Sequence, residues 1–300
     1  MKTRNRCILL AALVTVCCAA TVPAQAAGER AYATVASVHM PAWVERNGMR
    51  EPLAPGKVLQ NRDRVLTGAD ARVLIALAEG SAVKLGENAQ IDLNALGRRE
   101  NRVFTAALDL AKGTVRFTTG IFSSLREKRA VNLRIATVTA AIRGTDLWGS
   151  ADGERDLICL LDGRISVFHA LAQAREMSEA LSLYVAPKGA APDTLGKVDG
   201  GQLAQWAAQT EIQPGSGYAQ RGGEWNVELA TLDTEIDALA LYDRSRAAGY
   251  AVSILPRAAT GGMYRYAVRI RQLPSKAEAE ILSSQLSGVL ALAAPRVTRH

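Results

Sequence analysis

The sequence predicts two folded regions, an all-β region followed by a smaller α+β region. Residues 31–170 contain apolar stretches of about five residues, separated by turn residues at spacings near ten, which is typical of a β-sheet domain. Residues 187–223 are rich in glycine and proline, and residues 224–300 alternate between strand and helix patterns. Hydrophobic residues make up 48% and charged residues 22% of the 300-residue chain, so a wholly disordered protein is excluded.

The first 26 residues have the pattern of a secretory signal peptide. A basic start is followed by an apolar run that is shorter than the roughly 20 residues a bilayer requires, and then by Ala24-Gln25-Ala26. We expect cleavage after Ala26, or after Ala27 as the near alternative, and a periplasmic mature protein. An uncleaved membrane anchor is the other interpretation. After cleavage one cysteine remains, Cys159, in an apolar run where we expect a buried side chain without a disulfide partner.

The β region is expected to be a sandwich, a barrel or a β-solenoid. Its predicted strands are residues 72–77, 82–86, 91–96, 103–110, 113–117, 131–135, 157–161 and 163–167. Residues 171–223 are predicted to hold a helix over 202–210, which caps the β region, and a flexible linker over 213–223. We therefore expect proteases to cut this linker first.

The C-terminal region predicts the element order β-α-β-β-α-β, as in ferredoxin-like folds. A strand over 225–232 leads to an N-cap at Asp233, and Gly249 is placed where the first helix ends. Strands over 250–255 and 264–273 follow, and Ser275 with Glu278 forms a capping box for the second helix. A strand near 295–298 ends the chain. This order leaves one face of the sheet covered by helices and the other free.

The β region resembles a FecR-type domain over residues 31–170. The resemblance depends on residues 56–59, 63–68, 77–81, 110–115 and 135–146. Arg143 in the last segment is expected to pair with Asp146 or an earlier carboxylate and to act structurally. The resemblance implies an interaction module, and FecR-type domains often belong to regulators that relay an outer-membrane receptor signal to a sigma factor.

The C-terminal region resembles a SPOR domain, a peptidoglycan-binding module, over residues 224–300. The resemblance depends on the Trp225 strand and on residues 247–250, 266–270 and 273–279. It implies that glycan strands without stem peptides bind the sheet face opposite the helices. The candidate glycan-binding residues are Asn226, Glu228, Ser253, Tyr266, Arg269 and Arg271. The alternative is an ordinary solvated sheet face.

These features favour an exported, non-enzymatic protein that is tethered to peptidoglycan, with envelope or division proteins as partners of the FecR-like domain. The alternative is a FecR-type periplasmic signalling partner of an outer-membrane receptor. Catalysis is disfavoured because His39, His169 and His300 lack metal-ligand spacing, so neither a metal nor a cofactor is expected. Nucleic acid is disfavoured because the net charge of +7 is not gathered in a dense basic patch and the chain is exported. No transmembrane helix is expected after signal cleavage.

Overall fold

The computed structural model describes residues 31–99, 103–120, 129–193, 196–292 and 295–299. The predicted signal peptide and its cleavage site lie outside the described residues, as does His300.

Within the described residues, eighteen strands and one helix come before the C-terminal region. The first nine strands are β1 (Ala33–His39), β2 (Ala42–Arg46), β3 (Met49–Pro52), β4 (Val58–Leu59), β5 (Asp63–Thr67), β6 (Arg72–Leu77), β7 (Ala82–Leu85), β8 (Gln90–Arg98) and β9 (Phe104–Thr118). The next nine are β10 (Arg129–Ile135), β11 (Val138–Ile142), β12 (Asp146–Ala151), β13 (Arg155–Asp162), β14 (Ile165–His169), β15 (Ala172–Met177), β16 (Ser182–Pro187), β17 (Gly196–Lys197) and β18 (Ala219–Gln220). Helix α1 spans Gly200–Thr210.

The strands form two sheets that share one apolar core. The first sheet runs β18-β1-β6-β7-β9-β12-β13-β16-β17, with β4 also beside β1. The second runs β3-β2-β5-β8-β9-β10-β11-β14-β15. Buried residues of both sheets, such as Ile75 and Leu93, belong to one cluster. Among the described pairings only β9–β10 is parallel, so this region has the layering of a sandwich rather than the parallel stacking of a solenoid.

Strand β9 crosses from the second sheet to the first at Gly113. Residues 104–112 pair with β8, and residues 113–118 pair with β12. Gly113 has a φ of 88°, and a Cβ there would lie 2.5 Å from Ala89 Cα. Because only glycine adopts this conformation without steric cost, this residue allows one strand to serve both sheets.

The sheets continue past residue 170, the expected end of the β region. Strand β16 pairs with β13, and β18 pairs with β1. Helix α1 confirms the predicted helix and begins after Asp199, whose side chain accepts a hydrogen bond from the Gln202 amide. Its Trp206 stacks on Trp148 at 4.4 Å between ring centroids, which fixes α1 against the first sheet.

The part of the C-terminal region that the structure describes forms a four-stranded antiparallel sheet and two α-helices. Its elements are β19 (Trp225–Leu232), α2 (Glu235–Ala247), β20 (Val252–Ala258), β21 (Tyr264–Leu273), α3 (Lys276–Val289) and β22 (Arg296–Arg299), and the sheet order is β20-β21-β19-β22. The N-cap of α2 is Thr234 rather than Asp233, since the Thr234 hydroxyl accepts from the Asp237 amide. Apolar residues of both helices, including Leu241 and Leu282, pack against Val227 and Ile270.

The segment that was predicted to be a flexible linker is held on both sides. The Arg221 amide donates to the Ala36 carbonyl at 2.9 Å, next to the β18–β1 pairing. The Glu278 carboxylate of α3 accepts from the Gly215 and Gly217 amides, each at 2.6 Å. Ser275 caps α3 as predicted, but Glu278 does not close the capping box, because it holds this segment instead.

A direct contact also joins the β sheets to α2. The Ala42 amide donates to the Gly249 carbonyl at 3.3 Å, and Gly249 lies against the Trp43 ring and Pro41. No helix in the described part of the chain is long and apolar enough to cross a bilayer.

Candidate functional site

The side of the C-terminal sheet that faces away from α2 and α3 carries most of the predicted binding residues. Glu228 lies opposite Arg269 on the neighbouring strand, and Arg269 lies opposite Ser253 on the next. Directly opposed residues of antiparallel strands share a face, so these three side chains lie side by side. Asn226 and Arg271 each lie two positions along their strands from members of this row, and therefore share its face.

Asn226 and Glu228 lie on this face but are not exposed, contrary to the prediction. Their exposed fractions are 1% and 5%. Arginines cover Glu228: Arg257 Nη1 lies 2.8 Å from Oε2, and Arg296 Nη2 lies 2.9 Å from Oε1. The Thr231 hydroxyl also donates to Oε1 at 2.7 Å. Glu228 is therefore the buried centre of an ion-pair group rather than a free carboxylate.

The face is electrostatically positive. Burial alone would raise the pKa of Glu228, but hydrogen bonds from Thr231 and Arg257 outweigh it and hold that pKa below its ordinary value. The pKa of Arg269 is lowered, first by burial and then by repulsion from Arg271 and Arg257. Neighbouring cations are thus not fully compensated here, and an added anion would relieve their repulsion.

Tyr266 does not share this face, contrary to its prediction as one of the residues there. It lies opposite Leu232 and Pro256 and packs, half-buried, against the apolar core. The reason is the two-residue repeat of β21, which puts Tyr266 on the helix side and its neighbours Arg265 and Ala267 on the other.

Three arginines that sequence reasoning missed complete the face: Arg257, Arg265 and Arg296. Arg257 lies opposite Arg265, and Arg296 lies opposite Glu228. All three line an open depression of about 460 Å³ beside Glu228. The signal was present in the sequence, because the alternation that selects Arg269 and Arg271 also selects Arg265. We call this surface, with Arg257, Arg265, Arg269, Arg271 and Arg296, the arginine face.

Several buried polar atoms on the arginine face have no hydrogen-bond partner among the described residues. They are Asn226 Nδ2 and Oδ1 and Arg269 Nε, while Glu228 Oε2 has only its ion pair with Arg257. Leaving a buried donor or acceptor unpaired costs about 1–3 kcal/mol per group. Such groups in a folded protein call for a functional or solvent-related explanation.

In the β sheets, Asp146 and Cys159 have structural roles. Asp146 pairs with Arg116 at 2.7 Å and not with Arg143, and Arg116 also reaches Glu211 at the end of α1 at 3.0 Å. Cys159 is fully buried, and burial raises the pKa of its thiol to about 11, so it is a poor nucleophile near neutral pH. No cluster of potential metal ligands occurs among the described residues.

Family comparisons recognise both regions. The family model described as FecR protein matches residues 63–166, and that described as SPOR domain matches residues 222–293. The chain carries a FecR domain followed by a SPOR domain. Both resemblances predicted from the sequence are confirmed in the predicted order. The SPOR domain contains the whole β19–α3 segment and therefore most of the arginine face.

Two crystal structures of a candidate anti-sigma factor from Parabacteroides distasonis ATCC 8503 are similar at low level. One, at 2.50 Å resolution, is 10% identical with a TM-score of 0.40 and covers 76% of this chain and 91% of its own. The other, at 1.65 Å, is 10% identical with a TM-score of 0.39 and covers 79% of this chain and 99% of its own. Comparison with curated proteins finds no significant match.

Proposed function

We propose that this chain is an exported, non-enzymatic protein that binds peptidoglycan glycan strands through the arginine face of its SPOR domain. The SPOR match supports peptidoglycan binding. The observation that carries the proposal is the presence of five arginines on the sheet face that α2 and α3 leave free, two of which, Arg257 and Arg296, pair with the buried carboxylate of Glu228.

The chemistry of the glycan suits this face. When the stem peptide is cut from the sugar at its amide bond, a lactyl carboxylate is left on every second sugar, and the strand becomes a regular polyanion. Guanidinium groups bind carboxylates with paired, charge-assisted hydrogen bonds and also donate to hydroxyl oxygens. The proposed contacts are Arg269, Arg271 and Ser253, with Asn226 and Glu228 able to take part once the covering arginines turn toward the ligand.

The proposal includes the processing and layout of the chain. Residues 1–26 act as a cleaved signal peptide, which places the protein in the periplasm. A FecR domain then serves as an interaction module for envelope or division proteins, and residues 224–300 form the tether. The sheet order β20-β21-β19-β22 supports a ferredoxin-like arrangement of this tether.

The test is co-sedimentation of the chain from Ala27 with purified sacculi. We expect more protein to sediment with sacculi stripped of stem peptides by an amidase, and less as salt screens the charges. Arg269→Ala should weaken binding roughly tenfold, the effect of losing a charged hydrogen bond of about 1.5 kcal/mol. The matched control is Arg244→Ala, an exposed arginine of α2 outside the arginine face.

A folded chain that ignores both kinds of sacculi would remove the peptidoglycan assignment. Val268→Asp provides the reference for misfolding, since it buries a charge in the apolar core. Equal loss of binding in Arg269→Ala and Arg244→Ala would show a nonspecific charge effect instead of a defined site.

A second candidate function is regulatory, and the FecR match favours it. In that case the FecR domain contacts an outer-membrane receptor or its signalling partner. In-cell cross-linking from exposed positions of the FecR domain would recover such a receptor. Signalling by that receptor would then not require binding of this protein to sacculi.

A further inference from the structure

One end of the arginine face meets the β sheets at a cleft of about 320 Å³. Ser253 and Arg271, both predicted binding residues, form one wall of the cleft, and Glu51 and Lys57 of the β sheets form the other. Arg246 of α2 also lines it. This volume is at the lower end of the range of small-ligand pockets, about 300–1,000 Å³. A glycan strand lying along the arginine face would run into this cleft, because Ser253 and Arg271 of that sheet face also line the cleft.

The cleft carries surplus positive charge. Lys57 Nζ lies 2.6 Å from Glu51 Oε2, so these two groups largely neutralise each other. Arg246 and Arg271 have no carboxylate within ion-pair distance among the described residues, and Arg246 instead lies 5.1 Å from the centroid of the Tyr242 ring. The hydrogen bond from Lys57, its charge, and the charges of Arg246 and Arg46 hold the pKa of Glu51 below its ordinary value despite partial burial. An anion entering the cleft would thus meet two guanidinium groups that have no ion-pair partner among the described residues, although the Glu51 carboxylate interacts with Arg246 at longer range.

Apart from Gln272, the remaining lining is apolar, and much of it consists of proline and alanine. Pro52 and Pro55 of the β sheets lie on one side, with Ala54 between them, and Val252 lies on the other. Prolines and small side chains lose little conformational entropy when a ligand covers them. An anion with an apolar body fits such a lining better than a free inorganic ion does, since the body can cover these side chains.

We infer that this cleft holds one carboxylate-bearing N-acetylated sugar of the glycan strand, so that residues 51–57, which precede the matched FecR segment, supply a wall of the binding site. The inference rests on the proposed function. The lactyl carboxylate lies between Arg246 and Arg271, and the acetyl methyl and ring carbons pack on Pro52 and Pro55. Glu51 then acts against binding, because its carboxylate competes with that of the sugar for the same cations.

Two substitutions within residues 51–57 test the proposed sugar site, and they are expected to change affinity in opposite directions. Ala54→Trp fills the cleft and should weaken binding of amidase-released, peptide-free glycan fragments roughly tenfold. Glu51→Gln removes the competing charge and should strengthen binding about two- to threefold. Glu45→Gln is the matched control, because Glu45 lies on the adjoining strand β2, pairs with Arg50 and does not line the cleft. Binding is measured by calorimetry on the whole chain from Ala27, with unfolding midpoints as the check on folding.

The chemical identity of the anion is tested with the same fragments after their carboxylates have been converted to amides. The advantage of Glu51→Gln should disappear with these fragments. If the advantage appears only with fragments that retain stem peptides, the carboxylate comes from the peptide and the inference is overturned.

The outcomes also separate this inference from the proposed function. Suppose that Ala54→Trp and Glu51→Gln both bind with wild-type affinity while Arg269→Ala binds weakly. This result overturns sugar binding in the cleft but retains glycan binding at the arginine face. If the wild-type chain binds no fragment at all, both fail together.

Discussion

Hydrogen bonds from the Gly215 and Gly217 amides to Glu278 attach the segment before β18 to helix α3. We expect these bonds to contribute measurably to the free energy of unfolding. The carboxylate is 5% exposed and accepts one hydrogen bond from the buried Gly217 amide and one from the exposed Gly215 amide, each at 2.6 Å. A hydrogen bond to a charged group contributes about 1.5–3 kcal/mol when buried. The Gly215 bond is discounted to about 1 kcal/mol because water competes for it.

Glu278→Ala is therefore expected to lower the free energy of unfolding by about 2–4 kcal/mol. Glu278→Gln keeps a carbonyl acceptor and should lose about 1–2 kcal/mol. Urea unfolding followed by circular dichroism measures this difference. With a slope of about 3 kcal/mol per molar, the midpoint for the alanine variant should fall by about 1 M.

The control is Glu280→Ala, two residues further along α3, whose carboxylate makes an exposed pair with Lys276 at 3.1 Å. Its loss should change stability by less than about 0.5 kcal/mol. Hydrogen exchange at the Gly217 amide adds a local readout, and protection there should fall in Glu278→Ala alone. If Glu278→Ala changes neither the urea midpoint nor the protection at the Gly217 amide, these hydrogen bonds do not stabilise the protein as argued.

Two further predictions concern a glycine and a cysteine. Gly249→Ala should cost about 2–4 kcal/mol, since it adds overpacking to backbone strain: its φ is 88°, and a Cβ would lie 2.5 Å from the Trp43 ring. Gly48→Ala, with a φ of 78° but open space around it, should cost only about 1 kcal/mol, and equal losses in urea unfolding would contradict the clash. Burial raises the pKa of the Cys159 thiol from its ordinary 9.0 to about 11, so the unfolded state loses this proton first and stability should fall as pH rises between these values. Unfolding midpoints across that range should decline less in Cys159→Ala, and the same decline in both chains would assign the effect to other groups.

The sequence predicted the local elements of the SPOR domain well because capping and alternation are written in neighbouring residues. Ser275 caps α3, and β21 spans Tyr264–Leu273 as expected. Gly249 has the positive φ expected where a helix ends. These features depend on interactions within a few positions along the chain, which a single sequence records directly.

The contents of the candidate site were harder to predict, because burial depends on contacts between distant strands. Alternation put Glu228 on the correct face but did not reveal that Arg257 and Arg296, 29 and 68 positions away, would cover it. Tyr266 was misassigned although its own alternation with Val268 and Ile270 pointed to the helix side. The role of Glu278 was likewise invisible, since its partners at Gly215 and Gly217 are more than 60 positions away.

The short passage between β18 and β19 limits how the two halves of the molecule can move. Strand β18 ends at Gln220 and is paired with β1, and β19 begins at Trp225, so four residues separate them. Fully extended, four residues reach only about 14 Å. A domain on a long flexible linker would sample a wide volume around its attachment point, whereas this four-residue connection allows little displacement. If the SPOR domain binds peptidoglycan, this short connection would hold the FecR domain at a fixed distance and orientation relative to the cell wall. Such an arrangement would favour partners that approach from one direction.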